Sequence, residues 1–247
     1  MALDQSKVAL TTSWDDGHPL DFRVAEALSK YGLQGTFYVP LENSRPTLSA
    51  AQIRDLSTMF EIGGHTVHHV VLTSVADDRA RTEIVESRKK VEEITGKQCS
   101  TFCFPSGRFG ERHLKLVSEA GFSGVRTVEL LSLHQPRVRD GLAVIPTTLQ
   151  AYPHSSRTYL RNAAKRLSGG ALLNLLICNR ENDWAATAIA LLDRVRRIGG
   201  VFHLWGHSWE LEEAAQWEAL DRVLAAMGEA RKYASCITNA ELCRNEI

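Results

Sequence analysis

The sequence predicts an α/β fold, a distorted (β/α) barrel of seven or eight strands that is TIM-barrel-like in plan. Three observations carry this reading. Short β-rich runs alternate with helical patterns nearly to the end of the chain, the 247 residues accommodate seven or eight strand-helix repeats, and no GxGxxG or P-loop sequence marks a nucleotide-binding turn. An open doubly wound sheet is the alternative architecture. With no internal repeat, low-complexity tract or long linker, residues 1–247 read as a single domain.

Each element follows from local pattern. Val8–Trp14 is a β-rich run and the first strand, after which Phe22, Ala25, Leu28 and Leu33 recur at helical spacing with Gly32 as the stop. Gly35–Val39 is the second strand. Ser49 caps a helix running through Thr58, Phe60–Gly63 is a short strand, and Asp77–Thr95 is a long charged helix that ends at Gly96. Further strands are expected at Thr101–Phe104, Gly124–Thr127, Ala143–Thr148, Val201–Trp205 and Ala234–Ile237. Helices are expected at Glu111–Ala120, Asp183–Ile198 and Glu212–Ala230, the last with Trp217, Leu220, Leu224 and Met227 on one face. Residues 128–182, with Pro136, Pro146, Pro153 and Gly169-Gly170, are the least regular stretch and read as an insertion over one barrel end.

Composition narrows the function classes. Twenty-nine Lys and Arg balance 29 Asp and Glu with no basic run, which disfavours nucleic acid and acidic membrane surfaces as partners. Fractions of 44% hydrophobic and 23% charged residues exclude disordered, collagen-like and small disulfide-scaffold chains. No run approaches the roughly 18 apolar residues of a membrane span. The start, Met1–Val8, lacks a basic segment followed by an apolar one, so the expected location is cytoplasmic, with no membrane segment. Five cysteines (Cys99, Cys103, Cys178, Cys236, Cys243), odd in number and without a CxxC pair, read as buried or incidental thiols in a reducing compartment. Nothing in the pattern specifies an oligomeric state.

Barrel chemistry gathers at the C-terminal ends of strands. Ser13-Trp14-Asp15-Asp16-Gly17-His18 follows the first strand. Adjacent Asp residues on an extended segment point in different directions, so one can bind a metal while its neighbour acts as a base; a plain Asp-Asp-Gly turn is the alternative. After the third strand comes Gly63-Gly64-His65-Thr66-Val67-His68-His69, where on one helical turn His65 with His69, or His65 with His68, can chelate a cation; a polar loop is the alternative. Two imidazoles and one carboxylate leave open positions for water and substrate, as a catalytic metal requires. Pro105-Ser106-Gly107 forms a turn at the fourth strand's end, and Val201–Glu210 gathers two histidines, two tryptophans and a carboxylate. His207, just beyond its strand, is placed to reach the barrel mouth, whereas His203 reads as a packed strand residue. Trp205 and Trp209 either stack on sugar rings or fill the core.

Taken in order, these features resemble the polysaccharide deacetylase family, the NodB-homology group or carbohydrate esterase family four. Its first motif, roughly TFDDG, is matched by Ser13–Gly17, and its second, a His, Ser or Thr, two further residues and His, by His65–His69. Gly35–Pro40, Glu61-Ile62-Gly63 and Ile237–Leu242 also look like family sequence, so the resemblance spans nearly the whole chain. It implies one NodB-homology catalytic domain with Asp15 as general base, His207 as general acid, and Asp16, His65 and His69 holding a divalent metal, usually zinc. Pro105, Ser106, Gly107, Trp205 and Trp209 are expected to line the substrate site. Three departures stand out. The family's third motif often carries an Arg that orients the base, but Cys103 occupies that place and can form no such ion pair. Arg108 is the nearby replacement, or else a solvated surface residue. Asp183-Trp184 is the counterpart of a fourth motif, with Asp183 either tuning His207 or capping a helix, and Glu210 stands three residues after His207 where an acid usually follows directly.

The resemblance therefore implies metal-dependent removal of an N-acyl group, N-acetyl first, from a sugar or sugar-containing precursor, with a carbohydrate as the partner. The expected cytoplasmic location favours a nucleotide- or lipid-linked sugar. Hydrolysis of a non-sugar amide or ureide on the same fold is the second reading. A third, suggested by the missing third-motif Arg, is a metal- or sugar-binding protein without catalysis.

Overall fold

The computed structural model describes residues 8–155, 174 and 183–244. Its strands are β1 (Val8–Asp15), β2 (Thr36–Val39), β3 (Glu61–Gly64), β4 (Thr101–Cys103), β5 (Gly124–Arg126), β6 (Arg137–Arg139), β7 (Leu142–Ile145), β8 (Leu149–Gln150), β9 (Gly200–Gly206) and β10 (Ser235–Cys236). Its helices are α1 (Asp21–Lys30), α2 (Ala50–Leu56), α3 (Asp77–Thr95), α4 (Glu111–Glu119), α5 (Trp184–Ile198), α6 (Ser208–Glu213), α7 (Trp217–Ala230) and α8 (Asn239–Arg244). Among the described residues no helix is long and apolar enough to cross a membrane.

Eight strands form a continuous parallel array in the order β7-β5-β4-β3-β2-β1-β9-β8; β6 adds antiparallel to β7, and β10 pairs with β1. The ends of this array, β7 and β8, are separated in sequence only by Pro146, Thr147 and Thr148. So short a connection spans at most about 14 Å, which forces the sheet to curl until its two edges nearly meet. The gap is bridged by the connecting segment: Thr147 N–H donates to Glu129 O at 2.7 Å, Leu131 N–H to Thr148 O at 2.8 Å, and Thr148 N–H to His203 O at 2.9 Å. The expected α/β distorted barrel is the observed fold. The strand expected over Ala143–Thr148 ends instead at Ile145, because Pro146 interrupts the ladder, and β8, just beyond the expected range, is a further strand that the sequence pattern did not mark.

Alternation along β1 sets the interior. Leu10 and Trp14, fully buried, belong to the main apolar core, whereas Thr11, Ser13 and Asp15 make polar contacts with Asn239, His203 and Arg126. The N-terminal end of the array is closed by α8, whose Asn239 N–H donates to Thr36 Oγ1 at 3.0 Å and Ala240 N–H to Glu61 Oε2 at 2.9 Å. That leaves the C-terminal end as the open mouth.

Local signals placed most helices. Ser49 caps α2 in a reciprocal box with Gln52, Gly96 adopts the left-handed conformation that ends α3, and Asp183 caps α5 through Ala186 N–H. The one helix expected over Glu212–Ala230 is instead two, broken where Ala215 takes a positive φ of 51°. Of the expected insertion, Val128–Ser155 carries β6 to β8, while Gly169-Gly170 and Cys178 lie outside the described residues. The four cysteines within them are free thiols, Cys99 and Cys103 buried.

Candidate active site

A cavity of about 650 Å³ opens at the C-terminal end of the sheet and is lined by Asp15, Asp16, His65, His69, Ser106, Gly107, Arg108, Trp205, His207, Trp209 and Glu210, with Phe104, Val128, Leu130, Gln150 and His154. Pro105 is buried behind its turn rather than part of the lining.

Both aspartates reach this cavity although they are adjacent. Asp15 faces inward as the last residue of β1, and Asp16, in the left-handed region at φ 77°, rotates its carboxylate into the same space instead of away. The two histidines also converge without a helix: the loop after β3 reaches positive φ at Thr66 (62°) and His69 (51°), bringing His69 back over His65. The helical turn expected there is therefore corrected to a strained loop. Asp16, His69 and Ser106 are non-glycine residues at positive φ that line one cavity, the clustering expected where function outweighs local conformational energy. His68 leaves the set, since its Nδ1 lies 2.8 Å from the buried Glu83.

The residues of this cluster suit a cation. Asp16 Oδ1 lies 3.5 Å from His65 Nε2 and 3.0 Å from His69 Nε2, close to the roughly 3–3.5 Å between ligands that share a divalent metal at about 2.0–2.2 Å. Asp16 Oδ1 is buried with no hydrogen-bond partner, a position a cation would satisfy. His65 Nδ1 lies 2.8 Å from Cys103 O, and because a carbonyl only accepts, Nδ1 carries the proton and Nε2 presents its lone pair. Trp209 Nε1 donates to the other oxygen, Asp16 Oδ2, at 3.0 Å, while the Arg45 guanidinium covers one face of the indole at 3.6 Å. Burial pushes the Asp16 pKa up, but His65, His69 and His207 outweigh it and hold the carboxyl well below the ordinary range.

Asp15 forms the second centre. Arg126, from β5, donates through Nη2 to Asp15 Oδ1 in a buried ion pair, and Cys103 Sγ lies 3.7 Å from Asp15 Oδ2. The cationic partner of Asp15 is thus neither position 103 nor Arg108. It comes from the neighbouring strand, where Arg126 is the register partner of Cys103. Trp205 packs its ring 4.7 Å from the Arg126 guanidinium and lines the cavity with the rest of its surface. Burial raises the Asp15 pKa, while Arg126, His65 and His207 lower it further, leaving the carboxylate ionised. Arg126 was legible in principle: a charged residue inside a β-rich run must be paired if that strand is central.

The third centre is His207. Its Nδ1 lies 2.6 Å from Glu210 Oε2, and its Nε2 lies 3.9 Å from Asp16 Oδ2. Burial lowers its pKa, but Glu210, Asp15 and Asp16 raise it to a net upward shift. Glu210 therefore fills the tuning role considered for Asp183, which instead caps α5 and meets Arg222 at 3.3 Å on the surface. His203 is a packed residue, its Nε2 2.9 Å from Ser13 Oγ and its pKa pushed down to about 3 by burial and Arg126.

The polysaccharide deacetylase family model matches residues 2–125, which covers β1 to β4 and enters β5, and hence includes Asp15, Asp16, His65 and His69. The chain belongs to the polysaccharide deacetylase family. Among curated relatives of this family, the peptidoglycan-N-acetylmuramic acid deacetylase PdaA of Bacillus subtilis is 30% identical over 46% of this chain and 44% of its own length. The peptidoglycan-N-acetylglucosamine deacetylase of Bacillus cereus is 27% identical over 48% of this chain and 43% of its own. These matches span somewhat less than half the length of either relative. The fold likeness is wider: a Mycobacterium smegmatis protein assigned to the polysaccharide deacetylases superposes with a TM-score of 0.69 at 18% identity over 99% of this chain and 93% of that one. The Puue allantoinase gives 0.70 at 14% identity over 97% of this chain and 90% of that one.

Proposed function

We propose that this polysaccharide deacetylase family member is a metal-dependent hydrolase that removes an N-acetyl group from an N-acetylated sugar. The observation that carries the reading is the single cavity shared by three centres: a triad with metal-ligand spacing (Asp16, His65, His69), an ionised carboxylate held by a buried guanidinium (Asp15 with Arg126), and an imidazole raised by a carboxylate (His207 with Glu210). A divalent cation held by the triad would supply Lewis acidity toward the amide carbonyl and the attacking water.

The remaining chemistry belongs to the chain's own groups. Asp15, ionised and fixed by Arg126, accepts a proton from water as its oxygen bonds to the acyl carbon. His207 Nε2 delivers a proton to the sugar nitrogen, because an amine departs poorly as an anion, and the carbon–nitrogen bond breaks to leave acetate and a free amine. The Glu210 carboxylate offsets the charge of the imidazolium before that transfer.

Arg126 removes the reason for reading the chain as a non-catalytic binder, since the ion pair that Cys103 cannot make is made from β5. The two curated relatives named above are peptidoglycan deacetylases by name, which supports a carbohydrate amide, while the fold likeness to the Puue allantoinase makes a ureide the alternative substrate to be tested. The test pairs metal analysis of the wild type and His65→Ala with acetate release from N-acetylglucosamine oligomers and with ring-opening hydrolysis of allantoin. One divalent metal per chain, lost with His65, together with acetate release supports the reading. A metal-free wild type under zinc-replete conditions would overturn it, and turnover of the ureide alone would reassign the substrate.

A further inference from the structure

Gln150, on β8 at one edge of the array, is 6% exposed and belongs to none of the three centres. Its amide is nevertheless fully oriented by its neighbours. Glu210 Oε2 lies 2.8 Å from one end, and a carboxylate has no proton to give, so that end is the nitrogen, Nε2. The oxygen, Oε1, then faces His154 Nε2 at 2.7 Å, which fixes that ring nitrogen as the protonated one. The same Glu210 Oε2 lies 2.6 Å from His207 Nδ1. The result is a chain running His154, Gln150, Glu210, His207, in which every hydrogen bond has only one sense.

We propose that Gln150 is a positioning residue for the proton donor: by gripping Glu210 it keeps the His207 proton on Nδ1 and leaves Nε2 to face the reacting nitrogen. The inference rests on the reading of His207 as the acid of the hydrolysis. Glu210 projects from α6, and with His207 as its sole partner it would have alternative rotamers. Gln150 ties it instead to the sheet, where Gln150 is the register partner of Trp205 on β9, two residues before His207. Each end of the amide holds a protein partner, Glu210 or His154, which assigns it the orientation of a neighbour.

Gln150→Met removes both hydrogen bonds at little change in volume. Metal content and melting temperature confirm that the variant folds. In nitrogen-15 NMR spectra, the neutral His207 ring of the wild type is expected as the Nδ1–H tautomer and that of the variant as a mixture. Turnover of an N-acetylglucosamine oligomer should fall about tenfold with KM unchanged within about twofold. Hydrolysis of 4-nitrophenyl acetate, whose phenolate leaves without a proton, should change far less. An unchanged tautomer with unchanged kcat, or an equal loss on both substrates, would overturn the role of Gln150. His207→Ala separates the two layers of the argument: it should lose at least about 100-fold on the amide and much less on the ester. If that contrast is missing, it is the acid assignment that fails.

Discussion

Replacing Arg126 with methionine tests the heart of the site. The Arg126 side chain is 0% exposed and that of Asp15 is 5%, so neither charge has water to fall back on. Removing one partner of a buried pair leaves an uncompensated charge, at a cost of about 3–5 kcal/mol. His65 and His207 also hold Asp15 in its charged form, which places the expectation near the lower end, about 3 kcal/mol. The sign with pH follows from the depressed Asp15 pKa: the stabilisation is present above the ordinary carboxylate pKa and lost as pH falls through the lower folded value. The variant's deficit should therefore be full at neutral pH and shrink below about pH 4. Acetate release should drop by about 100-fold or more as Asp15 loses the guanidinium that fixes its orientation as the base. Chemical denaturation across pH and an acetate assay read both quantities. The swap Cys103→Arg with Arg126→Ala adds a sharper test. Position 103 is the register partner of 126, and its Sγ lies 3.7 Å from Asp15 Oδ2, so an arginine there approaches the other carboxylate oxygen. It should recover at least about tenfold of the activity lost in Arg126→Ala. An Arg126→Met protein within about 0.5 kcal/mol and twofold of wild type at pH 7 would refute the argument.

Three further outcomes are expected. Glu210→Gln withdraws the carboxylate that raises the His207 pKa, so the alkaline limb of kcat/KM, where the acid loses its proton, should move to lower pH; an unmoved limb would detach Glu210 from His207. Asp21 is fully buried, accepts from Ser208 Oγ at 2.6 Å, and has its pKa raised well above the ordinary value by burial. It therefore destabilises the fold as pH rises above the unfolded carboxylate pKa, by about 1.4 kcal/mol per pH unit up to its folded pKa. Asp21→Asn should raise the melting temperature at pH 7 and lose that advantage near pH 4, and equal gains at both would reject the protonation argument. Gly63→Ala places a Cβ 2.5 Å from the Tyr38 ring and 3.0 Å from Thr101 O. With backbone on one side it should cost about 1–3 kcal/mol and reduce metal retention by shifting the strand that leads into His65, and a wild-type melting curve would show that β3 can move aside.

The sequence by itself determined the strand-helix alternation and the barrel class, and its motifs singled out Asp15, Asp16, His65 and His69, which meet in one cavity, because those signals are local. Capping residues and Gly96 mark helix ends within a few residues. Asp15-Asp16 and His65–His69 each hold their chemistry in one short segment next to a strand end. Tertiary structure decided the rest. Arg126 stands 111 residues from Asp15 and meets it only because β5 and β4 lie in register, placing position 126 beside 103. Gln150 reaches Glu210 because the chain breaks at Pro146 after β7 and resumes as β8, which curling of the sheet lays beside β9 at the far end of the parallel array. Sequence motifs record residues whose function depends on near neighbours along the chain. A buried charge instead needs any partner of the right sign that arrives at the right place, and the register of the sheet, not sequence spacing, decides which one does.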